Sequence, residues 1–313
     1  MTSFTISDSD LDHIKDQVVI ITGASSGIGL ATLRRVIKHG GKVFASDLNP
    51  LPEPEASSVP FMKVNVTSWK EQVEMFKAAE KEFGKIDHVF ANAGIPPSVS
   101  LLEDDVDENG DLLPPKLDTF NVNLIGCVYT VKLGIHYLKK NPNGGSIVVT
   151  ASASSFLRFP GTDYTTTKHA VFGLVRSLYS HLHPKLPIRI NAIAPSWTDT
   201  GIVPRQVLVA LGEGNYQSAD VVGRSVTILM ADQQRHGELI YSDRGKFLDL
   251  ENGEKGYHAL TKRMLNVDQS EEMTELNLFK KLHAMKEEAD RKGNKEDAAE
   301  IGKGMGAVAA TTE

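Results

Sequence analysis

Val18-Val19-Ile20-Ile21-Thr22-Gly23-Ala24-Ser25-Ser26-Gly27-Ile28-Gly29 is the stretch on which the fold of this chain turns. Its first four residues are apolar at consecutive positions and Thr22 follows, the pattern of a strand covered on both faces. A helical pattern then runs from Gly27 to His39. Strand, glycine-rich turn and helix, in that order, form the setting in which such glycines bind a dinucleotide. Gly23, Gly27 and Gly29 let the backbone turn tightly and approach a pyrophosphate, with Ser25, Ser26 and Ile28 completing the turn. The helix N-terminus offers that anion free N–H groups and the positive end of a dipole.

Outward from this unit the rhythm repeats. Further strands are expected at 42–46, 61–65, 86–91, 146–151, 188–193 and 239–241, and further helices at 69–83, 117–140, 164–182 and 219–231. Strands alternating with helices imply parallel pairing through right-handed crossovers, hence an α/β Rossmann fold: a doubly wound parallel sheet of about seven strands with helices on both faces. One catalytic domain is expected over 15–245, after an N-terminal extension at 1–14. A C-terminal extension at 246–313 reads as helical around 271–291, then as disordered where Gly, Ala and Thr take over. Two segments break the rhythm: an acidic loop at 101–115, and a substrate loop at 201–217 that mixes Ile202, Val203, Val207, Leu208, Val209 and Leu211 with glycines.

Composition narrows the function. The 313 residues carry a formal net charge of −6, with no basic stripe interleaved with aromatics, which argues against nucleic-acid binding. No apolar run reaches the ~20 residues that span a bilayer. The single cysteine, Cys127, excludes an internal disulfide and suits a reducing compartment, so a soluble, cytoplasmic protein is expected. Residues 105–111 copy the first half of a calcium loop, but Lys116 stands at the position of the bidentate glutamate, and the histidines lack ligand spacing; no metal is expected.

Asp47 closes the second strand about 20 residues beyond the glycine turn, where a carboxylate accepts hydrogen bonds from the adenosine ribose and repels a 2′-phosphate. No Arg or Lys lies in 24–28 or at Leu48 and Asn49, so the expected cofactor is NAD rather than NADP. Further on, Tyr164 and Lys168 are four apart on a helix, about 5–6 Å between Cβ atoms. An ammonium beside a phenol lowers the phenol's pKa, making it a usable general base toward an alcohol.

These motifs together resemble the short-chain dehydrogenase/reductase family, in its single-domain form. The resemblance spans about 15–244 and rests on Thr22-Gly23-x-x-x-Gly27-x-Gly29, Asn92-Ala93-Gly94, Asn123, Ser152, Tyr164-x-x-x-Lys168 and Asn191-Ala192-Ile193-Ala194-Pro195, in that order. It implies Tyr164 as general acid/base, Lys168 as the group that tunes it and holds the nicotinamide ribose, Ser152 on the substrate oxygen, and Asn123 holding a water that links Lys168 to solvent. It implies further that Asn65 and Val66 contact the adenine, that Asn92, Ala93 and Gly94 support the cofactor wall, and that Ile193, Pro195, Trp197, Thr198 and Thr200 border the nicotinamide side. It also suggests a homodimer or homotetramer through the helices at 117–140 and 164–182.

The chain departs from the family pattern in two places. Ser152 lies 12 residues before Tyr164, one fewer than the family leads one to expect, so Ser154 stands as the alternative. Ser196 replaces the glycine that usually follows Pro195. The expected activity is NAD-dependent interconversion of a secondary alcohol and a ketone on a bulky hydrophobic substrate such as a terpenoid, steroid, prostanoid or polyketide. The apolar 201–211 stretch and Phe156, Leu157, Phe159 and Trp197 point that way, although the aromatics also suit plain packing. Two rival readings are redox-neutral epimerase or dehydratase chemistry and a non-catalytic NAD-binding regulator.

Overall fold

In a computed structural model of the protein, which describes residues 2–98, 101–266 and 269–311, the strand of the opening motif lies inside a nine-stranded sheet. In chain order the elements are β1 (Thr2–Phe4), β2 (Val18–Thr22), α1 (Gly27–Lys38), β3 (Lys42–Asp47), β4 (Phe61–Lys63), α2 (Trp69–Phe83), β5 (His88–Ala91), α3 (Asp118–Phe120), a π-helical segment (Asn121–Gly126), α4 (Cys127–Leu138), β6 (Gly145–Thr150), α5 (Thr162–Tyr179), β7 (Ile188–Pro195), β8 (Thr198–Asp199), α6 (Arg205–Leu211), β9 (Gln217–Ser218), α7 (Ala219–Ala231), β10 (Leu239–Asp243) and β11 (Lys246–Asp249). The sheet order is β1-β11-β10-β7-β6-β5-β2-β3-β4. The seven strands from β10 to β4 are mutually parallel. The order reverses between β2 and β5, and a ligand crevice belongs outside the strand ends at such a switch point.

Every residue of β2 and of β7 is buried; β2 accordingly reads as an apolar run, while β7 also buries Arg189 and Asn191. On one face, Leu33 and Val36 of α1 and Val222, Val226 and Leu229 of α7 pack on Val19 and Ile21. Helices α2, α4 and α5 cover the other face. Truncating a fully buried leucine such as Leu33 to alanine would cost about 2–5 kcal/mol.

The sheet takes in residues that the sequence reading left outside the domain. β11 returns antiparallel to β10 through Arg244 and Gly245, both at positive φ, as a two-residue hairpin requires. β1 then pairs antiparallel with β11, where Phe4 lies 5.9 Å from Phe247 and under the Arg235 guanidinium at 4.1 Å. The first compact unit accordingly spans Met1–Gly256 rather than 15–245. The expected 117–140 helix contains the π-helical segment, and the 201–217 loop contains α6 and is closed at its base by the β8–β9 pair.

The second unit, Tyr257–Glu313, contains α8 (Tyr257–Leu265), α9 (Gln269–Arg291) and α10 (Lys295–Thr311). α10 is helical where disorder was expected; its alanines favour a helix, and Glu296 and Asp297 suit its first turn. Among the described residues no helix is long and apolar enough to cross a membrane.

Candidate active site

The ends of the parallel strands border a cleft of about 780 Å³. Its floor is the glycine turn. A Cβ on Gly29 would lie 2.0 Å from the Gly23 carbonyl oxygen, and one on Gly23, itself at φ +69, would lie 2.8 Å from Ala93 Cα. Neither position admits a side chain, and the turn therefore seats tightly against β5. Asn92 clamps it there: its amide donates to the carbonyls of Thr22 and Gly23, both at 3.1 Å, and its Oδ1 accepts from Thr150 Oγ1 at 3.1 Å. Three strand ends are tied through one side chain.

Asp47 stands at the end of β3 on the cleft rim. Its carboxylate accepts from the Ser25 N–H and the Asn49 N–H, both at 3.0 Å, while Ser25 Oγ donates to the Asn49 carbonyl at 2.7 Å. The turn and the strand end are thus locked together with a negative charge facing the cleft. Asn65 and Val66 line the cleft beyond it, and the Asn65 Oδ1 accepts from the backbone and hydroxyl of Thr67, 3.0 and 2.9 Å away.

Ser152, Tyr164 and Lys168 line the opposite part of the cleft. The Ser152 hydroxyl hydrogen-bonds the Tyr164 phenol and accepts the Ser154 N–H at 3.2 Å. Ser154 lines the cleft as well, but its own hydroxyl is buried without a partner, so geometry favours Ser152 as the serine beside the phenol. Lys168 Nζ donates to the Thr150 carbonyl at 2.7 Å and lies 5.4 Å from the centre of the Tyr164 ring. Burial brings the Lys168 pKa down to about 8.

The phenol itself does not follow the sequence expectation. Burial raises its pKa, opposed by the Ser152 hydrogen bond, and the buried ammonium, aimed at Thr150, does not bring it down. Asp163, buried beside Tyr164, accepts the Tyr164 N–H at 2.7 Å and the Ser98 N–H at 3.0 Å, fastening the start of α5 to the 95–98 loop.

Of the other residues singled out in the sequence, Ser26, Gly27, Ile28, Ala93, Gly94, Pro195, Trp197, Thr198 and Thr200 border the cleft. Ser25, Gly29 and Asn123 stand behind its wall. Asn123 is buried in the π-helical segment, where its side chain accepts the Ile95 N–H at 2.8 Å and donates to the Ile95 carbonyl at 3.0 Å. Ser196 Oγ donates to Asp243 at 2.8 Å, anchoring the strand end from which Trp197 reaches the cleft wall, edge-on to Phe159 at 6.0 Å. Leu157 and Phe159 are lining residues, and Phe156 packs edge-on against Tyr241 at 5.8 Å.

The sequence reading missed Tyr241, Arg158, Ile95 and Val122, all of which line the cleft. Tyr241 was the one within reach, because the end of a parallel strand faces the crevice.

The profile of the short chain dehydrogenase family matches residues 17–207. The chain is 42% identical over 256 residues to the short-chain dehydrogenase/reductase ascJ of Acremonium egyptiacum, covering 80% of this chain and 86% of that protein. It is 37% identical over 266 residues to the short-chain dehydrogenase/reductase prx4 of Penicillium rubens, covering 83% and 79%. Among solved structures, the aldohexose dehydrogenase of Thermoplasma acidophilum in its ligand-free form superposes with a TM-score of 0.63 at 25% identity, covering 75% of this chain and 95% of that one.

Proposed function

The chain belongs to the short-chain dehydrogenase/reductase family of nicotinamide-dependent oxidoreductases, and on that premise we propose that it interconverts a secondary alcohol and a ketone with NAD on a bulky hydrophobic substrate. The observation that carries the reading is the meeting of Ser152, Tyr164 and Lys168 in one cleft with the glycine turn and Asp47.

A dinucleotide fits what lines that cleft. The turn admits no side chain at Gly23 or Gly29, leaving backbone for a pyrophosphate to approach. Asp47 suits ribose hydroxyls and opposes a 2′-phosphate, and the basic residues among the described cleft lining are Arg158 and Lys168, neither of them on the glycine turn or at the end of β3. The nicotinamide, when bound, supplies the hydride chemistry. The side chains do the rest. Tyr164 takes the alcohol proton or returns it to the carbonyl oxygen, and Ser152 hydrogen-bonds that oxygen as charge develops on it. Lys168 holds positive charge near the phenol, and Asn123 fixes the 95–98 loop that Asp163 also grips. Leu157, Phe159, Trp197, Ile202 and Val207 supply the apolar wall for the substrate body. The protein acts in the cytoplasm as a homodimer or homotetramer.

The test is absorbance at 340 nm with NAD and then NADP against a panel of bulky secondary alcohols at mildly alkaline pH. NADH formed with one alcohol, and no NADPH, is the expected result. NAD binding without turnover across the panel would shift the reading to redox-neutral chemistry or to a regulator, and equal use of NADP would remove the role of Asp47.

A further inference from the structure

Away from the dinucleotide half, the cleft is walled by Ile95, Leu157, Phe159, Trp197, Ile202 and Val207. One charge interrupts this apolar surface. Arg158 sits between Leu157 and Phe159 on the loop leading from Ser152 to α5, and its exposed side chain lines the same cleft as Tyr164. Among the described residues it has no ion pair, hydrogen bond or ring contact. Other arginines of the chain are engaged: Arg34 holds Glu55 at 2.7 Å, Arg176 holds Glu251 at 2.8 Å, and Arg205, just beyond the cleft wall, lies 3.9 Å from Asp199. The other charges of the cleft are engaged too, Asp47 with backbone N–H groups and Lys168 with the Thr150 carbonyl.

Granted the oxidoreductase reading of the cleft, we infer that the substrate carries an oxyanion, such as a carboxylate, on the apolar body that bears the reacting alcohol or ketone, and that Arg158 pairs with it. A guanidinium keeps its charge at any working pH, and its planar fork matches a carboxylate with two parallel hydrogen bonds. Leu157 and Phe159 on either side bring apolar contact to the same stretch of ligand, so recognition of body and charge comes from three consecutive residues. Pairing at this point fixes which end of an elongated substrate enters first, and with it the distance from the charged group to Tyr164. Arg158 is thereby a specificity residue, outside the proton-transfer chemistry.

The experiment compares 4-(3-oxobutyl)benzoate with its methyl ester as ketone substrates with NADH, for the wild type, Arg158→Leu and Arg158→Lys. The wild type is expected to favour the acid over the ester by about tenfold in kcat/KM, carried by KM, the size of one charge-assisted pair. Arg158→Leu brings that ratio toward one, and Arg158→Lys restores part of it. NADH affinity within about threefold of wild type, read by fluorescence, shows that a variant's cleft is intact; if Arg158→Leu fails this check, Arg158→Lys carries the comparison. No acid preference in the wild type, or a ratio unmoved in the variants, overturns the inference. If NADH binds but neither ketone is reduced, the oxidoreductase reading fails for this pair. The same two compounds are then titrated calorimetrically into the NADH-loaded protein. Acid binding that weakens about tenfold in Arg158→Leu upholds the pairing, and equal or absent binding overturns it.

Discussion

Lys168 is a cation enclosed by protein, 3% exposed, with one carbonyl for company. Burial penalises its charged form, so its pKa falls from 10.5 to about 8. The consequence for stability has a definite sign. Below about pH 8 the lysine is charged in both the folded and unfolded chain, and the burial penalty is present in full. Between about 8 and 10.5 the unfolded chain holds a proton that the folded chain has released, so stability rises with pH. The gain reaches about 3 kcal/mol at the top of that window. In urea denaturation, wild type is therefore expected to gain stability relative to Lys168→Met across this window, and parallel curves would refute the burial account. Tyr164 is displaced the opposite way, its phenol pushed up by burial. Alcohol oxidation should rise with pH, and Tyr164→Phe should cut turnover by about a thousandfold while NAD affinity stays within about threefold. Turnover near wild type in that variant would remove Tyr164 as the base.

At the scale of elements, β1 shows how a short strand is held by its neighbours. Three residues supply little pairing of their own, but Phe4 sits on Phe247 and beneath Arg235, joining the chain's start to the β10–β11 hairpin. Phe4→Ala is expected to cost about 1–2 kcal/mol and to lower Tm by about 3–6 °C, with NADH binding unchanged; an unaltered Tm in differential scanning calorimetry would mean the edge is not held by this ring. This strand also marks the limit of reading from sequence. The parallel strands were legible because burial on both faces writes a continuous apolar run, as in Val18–Thr22. The glycine turn was legible because strand, turn and helix follow one another locally. Thr2–Phe4 carries no such signal, since its place depends on an edge created by residues some 245 positions later. Arg158 was missed for another reason: it belongs to no motif, and nothing in the sequence tells whether a loop side chain between Ser152 and Tyr164 turns toward the cleft or away from it. The phenol's burial and the direction of the ammonium were not legible, because spacing on a helix fixes proximity alone.

Across the whole molecule, the chain carries a single thiol, and it lies at a telling place. Cys127 opens α4 directly after the segment that holds Asn123, is buried, and has its pKa pushed up to about 12 by burial. Only thiolate reacts with a disulfide reagent, and at neutral pH the native thiol supplies a fraction on the order of one in 10⁵. Ellman's reagent should therefore label the native protein slowly and release about one thiol's equivalent on denaturation; fast native labelling would show that α4 opens readily. The chain thus holds an internal clock with one hand. Because that hand follows the segment that holds Asn123 and feels the charge of Lys168, a ligand that closes the proposed site should slow the clock.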